Sequence, residues 1–283
     1  SADSIARGSI QEVNWVCNKC GYNWSTHVKS RTTNKTECPM CRIKAGKYKV
    51  HAEENKFVNK AKELADSGIV GKVLRFQYRS PSTRGPYKLG EYTNEELSKL
   101  WWYDKKRGGG SIMDYAGYGC ALSTWFMNEQ IPLKVSGVKK NFFLPFSDVE
   151  DYSTFTLEYE NAVSVIEGSW STMNNGEIAT GPVIYGTEGV IVADRFNPVV
   201  KVYKDLKPYQ PSPKPTQEFT IGERTNNISI NLMNYLEKGT PLHEMVTVDF
   251  NIRAMAALDG GIRACESGNT ETVKKMLEII NFK

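Results

Sequence analysis

Four of the six cysteines stand as Cys17-Asn-Lys-Cys20 and Cys38-Pro-Met-Cys41, two CxxC knuckles with 17 residues between them. Each knuckle lets two sulfurs reach one ion while backbone N–H groups point at them. The duplication matches a tetrahedral structural zinc site. Two disulfides fit poorly without a secretory signal, and a redox pair does not explain a second CxxC. Cys17, Cys20, Cys38 and Cys41 are therefore the expected zinc ligands. The shell is then closed, and His27 is read as a surface or core histidine. The separation leaves room for a hairpin that returns the second knuckle to the first.

A second set lies at mid-chain. Asp114 and Tyr118 are spaced i, i+4 in a helical pattern that follows Gly108-Gly-Gly110, so both project from one helix face. A phenol beside a carboxylate can accept or donate the proton of an alcohol. The glycines, read as flexible, would let a ligand approach the backbone near the helix start. Trp102, Lys105 and Arg107, with Trp101 and Lys106, stand just upstream and could line a polyol or acidic-sugar pocket. The bland alternatives are a helix pair meeting the core and an exposed basic loop anchored by aromatics. Cys120 and Cys265 fall on apolar helical faces and read as core thiols.

These residues need two different supports. Residues 1–50 hold nine Lys and Arg against three acids, although the whole chain carries a formal charge of only +4. A basic head on a slightly acidic body suggests two units, 1–50 and 51–283. Trp15, Val16, Tyr22, Trp24 and Val28 can cover a metal-centred core too small to stand alone. A hydrophobic share of 40% and a charged share of 24% suit a soluble globular body. No stretch approaches a membrane span, and Ser1 to Arg7 lacks the apolar core of a secretory signal. The expected location is cytoplasmic, without a membrane partner.

In the body, Glu53 to Ser67 has helical spacing with Gly68 as its stop, and Val73 to Tyr78 alternates as a strand. Ser80 to Tyr92 reads as a loop, and Thr93-Asn-Glu-Glu96 as a capping box. Met113, Ala121, Leu122, Trp125 and Phe126 can share one buried side. After Pro132 the texture is β: Phe155, Leu157 and Tyr159 alternate, then Val163 and Val165 lead to Trp170. Val183–Tyr185, Val190–Val192 and Val199–Tyr203 follow. Pro208, Pro211, Pro213 and Pro215 form a stiff connection. Ile228, Leu232, Tyr235 and Leu236 stripe a helix ended by Gly239, Thr247 caps the next, and Asn269 a last one with Val273, Leu277 and Ile280. The expected class is α+β, a mostly antiparallel sheet with helices on one face, plus the small N-terminal zinc ribbon.

Asn14-Trp-Val-Cys-Asn-Lys-Cys-Gly-Tyr-Asn-Trp24, then Ser30-Arg31 and Cys38-Pro-Met-Cys41, resembles a family of small zinc ribbons. Its lysines and arginines, interleaved with Trp and Tyr, could track a phosphate backbone and stack bases, or simply form a solvated basic face. The body, from about residue 53 to 268, resembles the C-terminal domain of the Gfo/Idh/MocA oxidoreductases. The carriers are Ala61 to Val73, Gly108-Gly-Gly-Ser-Ile-Met-Asp114, Val149-Glu-Asp151, Glu167-Gly-Ser-Trp170 and Ile184 to Gly189, in that order.

That resemblance implies NAD(P)-dependent oxidation of a sugar or polyol hydroxyl, with Tyr118, where many members have His, as acid/base. It also implies a Rossmann half with a glycine fingerprint and a Glu-Lys-Pro lysine. Neither motif is found in this sequence. The expectation is a chain inactive alone, whose NAD(P) comes only with a separately supplied nucleotide-binding half. A non-catalytic sugar-binding or oligomerisation protein, or a nucleic-acid-associated one, is the alternative. The resemblance further implies a homo-oligomer paired through the outer sheet face.

Overall fold

The computed structural model describes residues 6, 9–32, 38, 41, 52–81, 92–172, 178–193, 199–205, 207, 213–220 and 228–273. The chain divides into two compact units, Ser1–Glu53 and Glu54–Lys283.

In the first unit, β1 (Glu12–Val16) and β2 (Asn23–His27) pair antiparallel, with Trp15 opposite Trp24. The first knuckle is the turn of this hairpin: Cys17 N–H donates to Tyr22 O, and Gly21 N–H to Cys17 O, with Gly21 at φ +71°. α1 (Val28–Thr32) follows directly. The hairpin thus closes on the first knuckle instead of spanning the two. A helical turn carries the chain onward, because Val28 is buried and Thr32 Oγ1 bonds back to Val28 O.

The second unit opens with α2 (Ala52–Asp66), where Gly68 at φ +73° ends the helix and lets the chain turn. β3 (Val73–Pro81) runs three residues further than the alternation suggested. The loop expected at Ser80 therefore begins later, and residues 82–91 lie outside the described part. α3 (Asn94–Ser98) has the full capping box: Thr93 accepts from Glu96 N–H, and the Glu96 carboxylate accepts from Thr93 N–H. A π-helical turn (Ile112–Ala116) then leads into α4 (Gly117–Phe126).

Six consecutive strands follow: β4 (Lys134–Lys140), β5 (Tyr152–Glu158), β6 (Val163–Ser169), β7 (Gly181–Gly186), β8 (Gly189–Ala193) and β9 (Val199–Lys204). β10 (Gln217–Thr220), α5 (Ile228–Lys238), α6 (Val248–Ser267) and β11 (Glu271–Thr272) complete the described elements. The sheet order is β10-β9-β8-β7-β3-β6-β5-β4-β11. Every neighbour pair is antiparallel except β3–β6. That parallel pair exists because the helical segment and the β4–β5 hairpin intervene, giving the chain enough length to cross over.

One register row carries the core across seven strands: Val135, Leu157, Ser164, Phe76, Ile184, Ile191 and Val202. All seven are buried. The one polar member, Ser164, is satisfied by Ser123 Oγ at 2.7 Å, which is also 2.8 Å from Tyr159 Oη. α4 and α6 pack on this face and on each other. Gly261 makes the approach of α6 close, since a Cβ there would stand 2.7 Å from the Phe155 ring.

Several expectations are corrected. Met113 is exposed, because the π turn rotates it off the buried side of α4. The helix expected from Asn269 gives way at Glu271–Thr272 to a strand paired with β4, burying Val273, and residues 274–283 lie outside the described part. So do Pro208 and Pro211. The α5 stripe forms a helix, yet Leu232, Tyr235 and Leu236 are exposed rather than packed.

Candidate functional site

The segment before α4 is built against its own neighbours. Asp104 caps the 3-10 turn Lys105–Arg107 by accepting from Lys106 N–H. Gly108 leaves that turn at φ +81°. Gly109 and Gly110 donate their N–H groups to Asp104 O and Trp102 O. A Cβ on Gly109 would lie 2.2 Å from Trp102 O, and one on Gly110 only 2.3 Å from Glu150 Oε1. Gly109 and Gly110 are thus demanded by close packing and Gly108 by its positive φ, and the flexibility expected of the three is replaced by fixed geometry.

Glu150 is the anchor beneath. Its carbonyl accepts from Ser111 N–H at 3.0 Å and its Oε1 from Ile112 N–H at 2.9 Å. Burial raises its pKa, although the Ile112 N–H and the charges of Lys139 and Lys105 oppose the shift. The π turn that follows places Asp114 one turn above, with Asp114 N–H on Gly110 O. π turns recur where a helix must re-aim a side chain.

Asp114 Oδ2 accepts from Trp170 Nε1 at 2.8 Å. Trp170 stands edge-on to Tyr103 in a small second core with Leu97, Leu144 and Val149. A buried indole N–H needs an acceptor, so this core fixes the carboxylate. Trp170, to which the β pattern of Val163 and Val165 leads, has this polar role, which alternation along a strand does not reveal.

Asp114 and Tyr118 both line a cleft of about 440 Å³, with Trp101, Trp102 and Gly110 on one side and Asn251 of α6 on the other. The Trp101 and Trp102 rings stack at 3.8 Å. Tyr118 is 42% exposed, which leaves the phenol reachable from solvent. Carboxylate, phenol, amide and indole faces around one concavity suit a ligand rich in hydroxyls. Asn251 was not singled out from sequence. Its Nδ2 is tied to Met245 O and Thr247 O, an arrangement set by the turn before α6.

Lys105 and Arg107 do not line this cleft. Lys105 Nζ pairs with Glu266 at 2.7 Å, an ion pair that raises the lysine pKa, and Arg107 Nε pairs with Asp104 at 2.7 Å. The 3-10 turn points both cations toward acids on its outer side. Cys120 is buried, and its thiol is pushed far up by desolvation. Cys265 is half-buried and raised to about 11 by the same cause.

In the head, Sγ atoms of Cys17, Cys20, Cys38 and Cys41 all lie within 4.8 Å of one another. Cys17–Cys41 and Cys20–Cys38 are separated by 3.5 and 3.6 Å. A tetrahedron with Zn–S bonds of ~2.3 Å has edges of about 3.8 Å, so the donor set fits zinc. The Lys19 N–H, 3.4 Å from Cys17 Sγ, lowers that thiol to about 6, whereas sharing a proton with Cys17 pushes Cys41 up to about 12.

The two units define a four-cysteine finger followed by a cleft-bearing α+β domain. Residues 58–192 match the family model described as GFO/IDH/MocA C-terminal domain, and residues 1–44 the model of a probable treble clef zinc finger domain. Residues 58–192 are thus similar to a GFO/IDH/MocA C-terminal domain, and they follow a segment similar to a zinc finger. That model describes a probable treble clef, where the sequence suggested a ribbon.

Solved structures agree. An oxidoreductase from Thermotoga maritima is 18% identical with a TM-score of 0.58, over 80% of this chain and 61% of that one. An oxidoreductase from Agrobacterium radiobacter, in complex with NAD+, L-tartaric acid and magnesium, is 15% identical with a TM-score of 0.56, over 78% and 63%. An aldose-aldose oxidoreductase from Caulobacter crescentus, complexed with glycerol, is 18% identical with a TM-score of 0.57, over 78% and 62%. The chain thus spans about three fifths of these proteins' length. No curated protein matches it by sequence. Among the described residues, no helix is long and apolar enough to cross a membrane.

Proposed function

We propose that residues 51–283 are the ligand-binding half of an NAD(P)-dependent oxidoreductase acting on a sugar or polyol hydroxyl. That reaction needs a nucleotide-binding half beside it. The observation that carries this reading is the 440 Å³ cleft in which Asp114, Tyr118, Trp102 and Asn251 converge. Asp114, held by Trp170, accepts hydroxyl hydrogen bonds, the indoles pack on the ring's C–H faces, and Tyr118 Oη holds or releases the proton of the reacting hydroxyl. The nicotinamide, when bound, supplies hydride acceptance. The described sheet is mostly antiparallel, unlike the parallel sheets that seat dinucleotides, so no step through that group is assigned to this chain.

A body covering the cleft would explain its apolar rim, where Trp101, Met113, Tyr118 and Met255 are all exposed. The outer sheet face, with Arg75 over the Tyr185 ring and Arg79 paired to Glu167, is the surface proposed to pair two copies. Zinc is held by the four cysteines in residues 1–50 and stabilises that unit. The exposed Lys19 and Lys29 beside exposed Tyr22 favour nucleic-acid binding as its second role.

Calorimetric titration with polyols and sugars tests the main reading. Binding that Tyr118→Phe preserves but Asp114→Ala weakens at least tenfold is expected, with a response to NADH only where a nucleotide-binding half is present. Absence of saccharide binding at millimolar concentration would remove the reading. A single-copy sedimentation profile would remove the pairing, and a salt-independent null with duplex and single-stranded DNA the second role.

A further inference from the structure

A second cavity, of about 90 Å³, lies beneath the cleft and shares its wall. Tyr118 and Ala121 line both. On the far side of that wall the lining turns apolar: Phe57 of α2, Leu122 of α4, Pro182 of β7, Ala193 of β8 and Met245. α2, α4 and the sheet meet here, each contributing to the lining. Unfilled space beside apolar side chains forfeits dispersion contacts that a fitting group would restore.

We propose that this cavity seats a small apolar substituent, up to about isobutyl size, of the same hydroxylated ligand that the cleft holds. The size limit follows from volume: a cavity of about 150 Å³ accepts benzene, and this one is smaller. The position follows from the shared wall. A ring seated against Tyr118 has one edge toward Asp114 and Trp102 and the other toward Ala121, past which the surface is mostly apolar, with Tyr78 among the lining residues. The ligand class is therefore a sugar or polyol bearing a short alkyl group, rather than an unsubstituted one. This rests on the reading that the cleft binds a hydroxylated ligand.

The test is a titration of the whole chain with methyl, isopropyl, isobutyl and octyl β-D-glucosides and the matching glycerol ethers. Affinity should rise about fourfold per added carbon up to isobutyl and then level off. Ala193→Leu, which fills the cavity, should bring the isobutyl-to-methyl affinity ratio toward one, and Ala193→Val should do so in part should Leu overpack the site. Crystals pressurised with xenon should hold xenon against Ala193 and Leu122. Equal affinity for all alkyl lengths overturns the inference and leaves a hydroxyl-binding cleft standing. Isobutanol perturbing the Ala121 and Ala193 methyl resonances, with no glucoside or glycerol ether binding, overturns the hydroxylated-ligand reading and keeps the apolar site.

Discussion

In the head, four sulfurs within 4.8 Å of one another do the work that a seven-strand apolar row does in the body. The head's hairpin is five residues long on each side and shows exposed Val16 and Tyr22, so little apolar area is removed from water. The body buries Phe76, Phe155, Phe250, Leu157, Ile166 and Ile184 almost completely. A small unit that cannot bury enough surface borrows its stability from a metal. A large one can spend some of its core on polar positions, as it does at Ser164 and Ser123. The difference predicts that the two units fail independently and for different reasons.

The largest effect should come from the metal. Structural zinc supplies on the order of 10–16 kcal/mol of apparent binding energy in isolated fingers. Chelation or Cys38→Ser should therefore collapse the amide resonances of residues 9–32 while the body's denaturant transition keeps its midpoint. A shared loss of both units would break the comparison.

Next comes Phe155→Ala, which should leave bound zinc unchanged and destabilise the body by roughly 3–5 kcal/mol, read from urea unfolding. Phe155 is fully enclosed between β4, β6 and Gly261 of α6, so the site has little freedom to collapse.

How much of this was legible in the sequence follows the same division. The zinc ligands could be read because their chemistry lives in spacing, and Thr93 or Thr247 because a cap is local. The alternation of β3 and β5 revealed the core face. Missed were β4, whose Lys134-Val-Ser-Gly-Val-Lys-Lys140 has only two apolar residues, three apart, the four-residue β10 and the two-residue β11. Asp114 and Tyr118 could be paired by helical spacing. That Lys105 and Arg107 face away could not be seen, because their partners Glu266 and Asp104 are chosen by a 3-10 turn and a distant helix end. Asn251 and Trp170 were hidden for the same reason. Their contributions depend on which strand and helix the fold sets beside residue 114.

A smaller, sharper effect separates acceptor from charge at the site. Asp114→Ala leaves the buried Trp170 N–H without its acceptor and should cost about 1–3 kcal/mol. Asp114→Asn retains an acceptor and should cost little stability while still weakening polyol binding. Equal stability losses for the two variants would show that the carboxylate charge, not the hydrogen bond, holds the π turn.

The smallest predicted effect concerns pH, and its sign is set by Glu150. Burial raises this carboxyl above its ordinary 4.5. A folded-state pKa above the unfolded one means the folded chain holds the proton more tightly. The associated stability is then fully present below the unfolded value and is lost as pH rises through the folded one. Glu150→Gln keeps an oxygen for the Ile112 N–H but cannot ionise, so its stability should not fall over that interval. The informative quantity is the difference between the two urea-midpoint profiles above pH 4.5, which should widen with pH and then become constant. Neighbouring acids such as Glu266, lowered by its contact with Lys105, act in the opposite sense and cancel in that difference. Parallel profiles would mean that the Lys105 and Lys139 charges offset the burial, so that the anchor under Gly110 ionises as an ordinary carboxyl does.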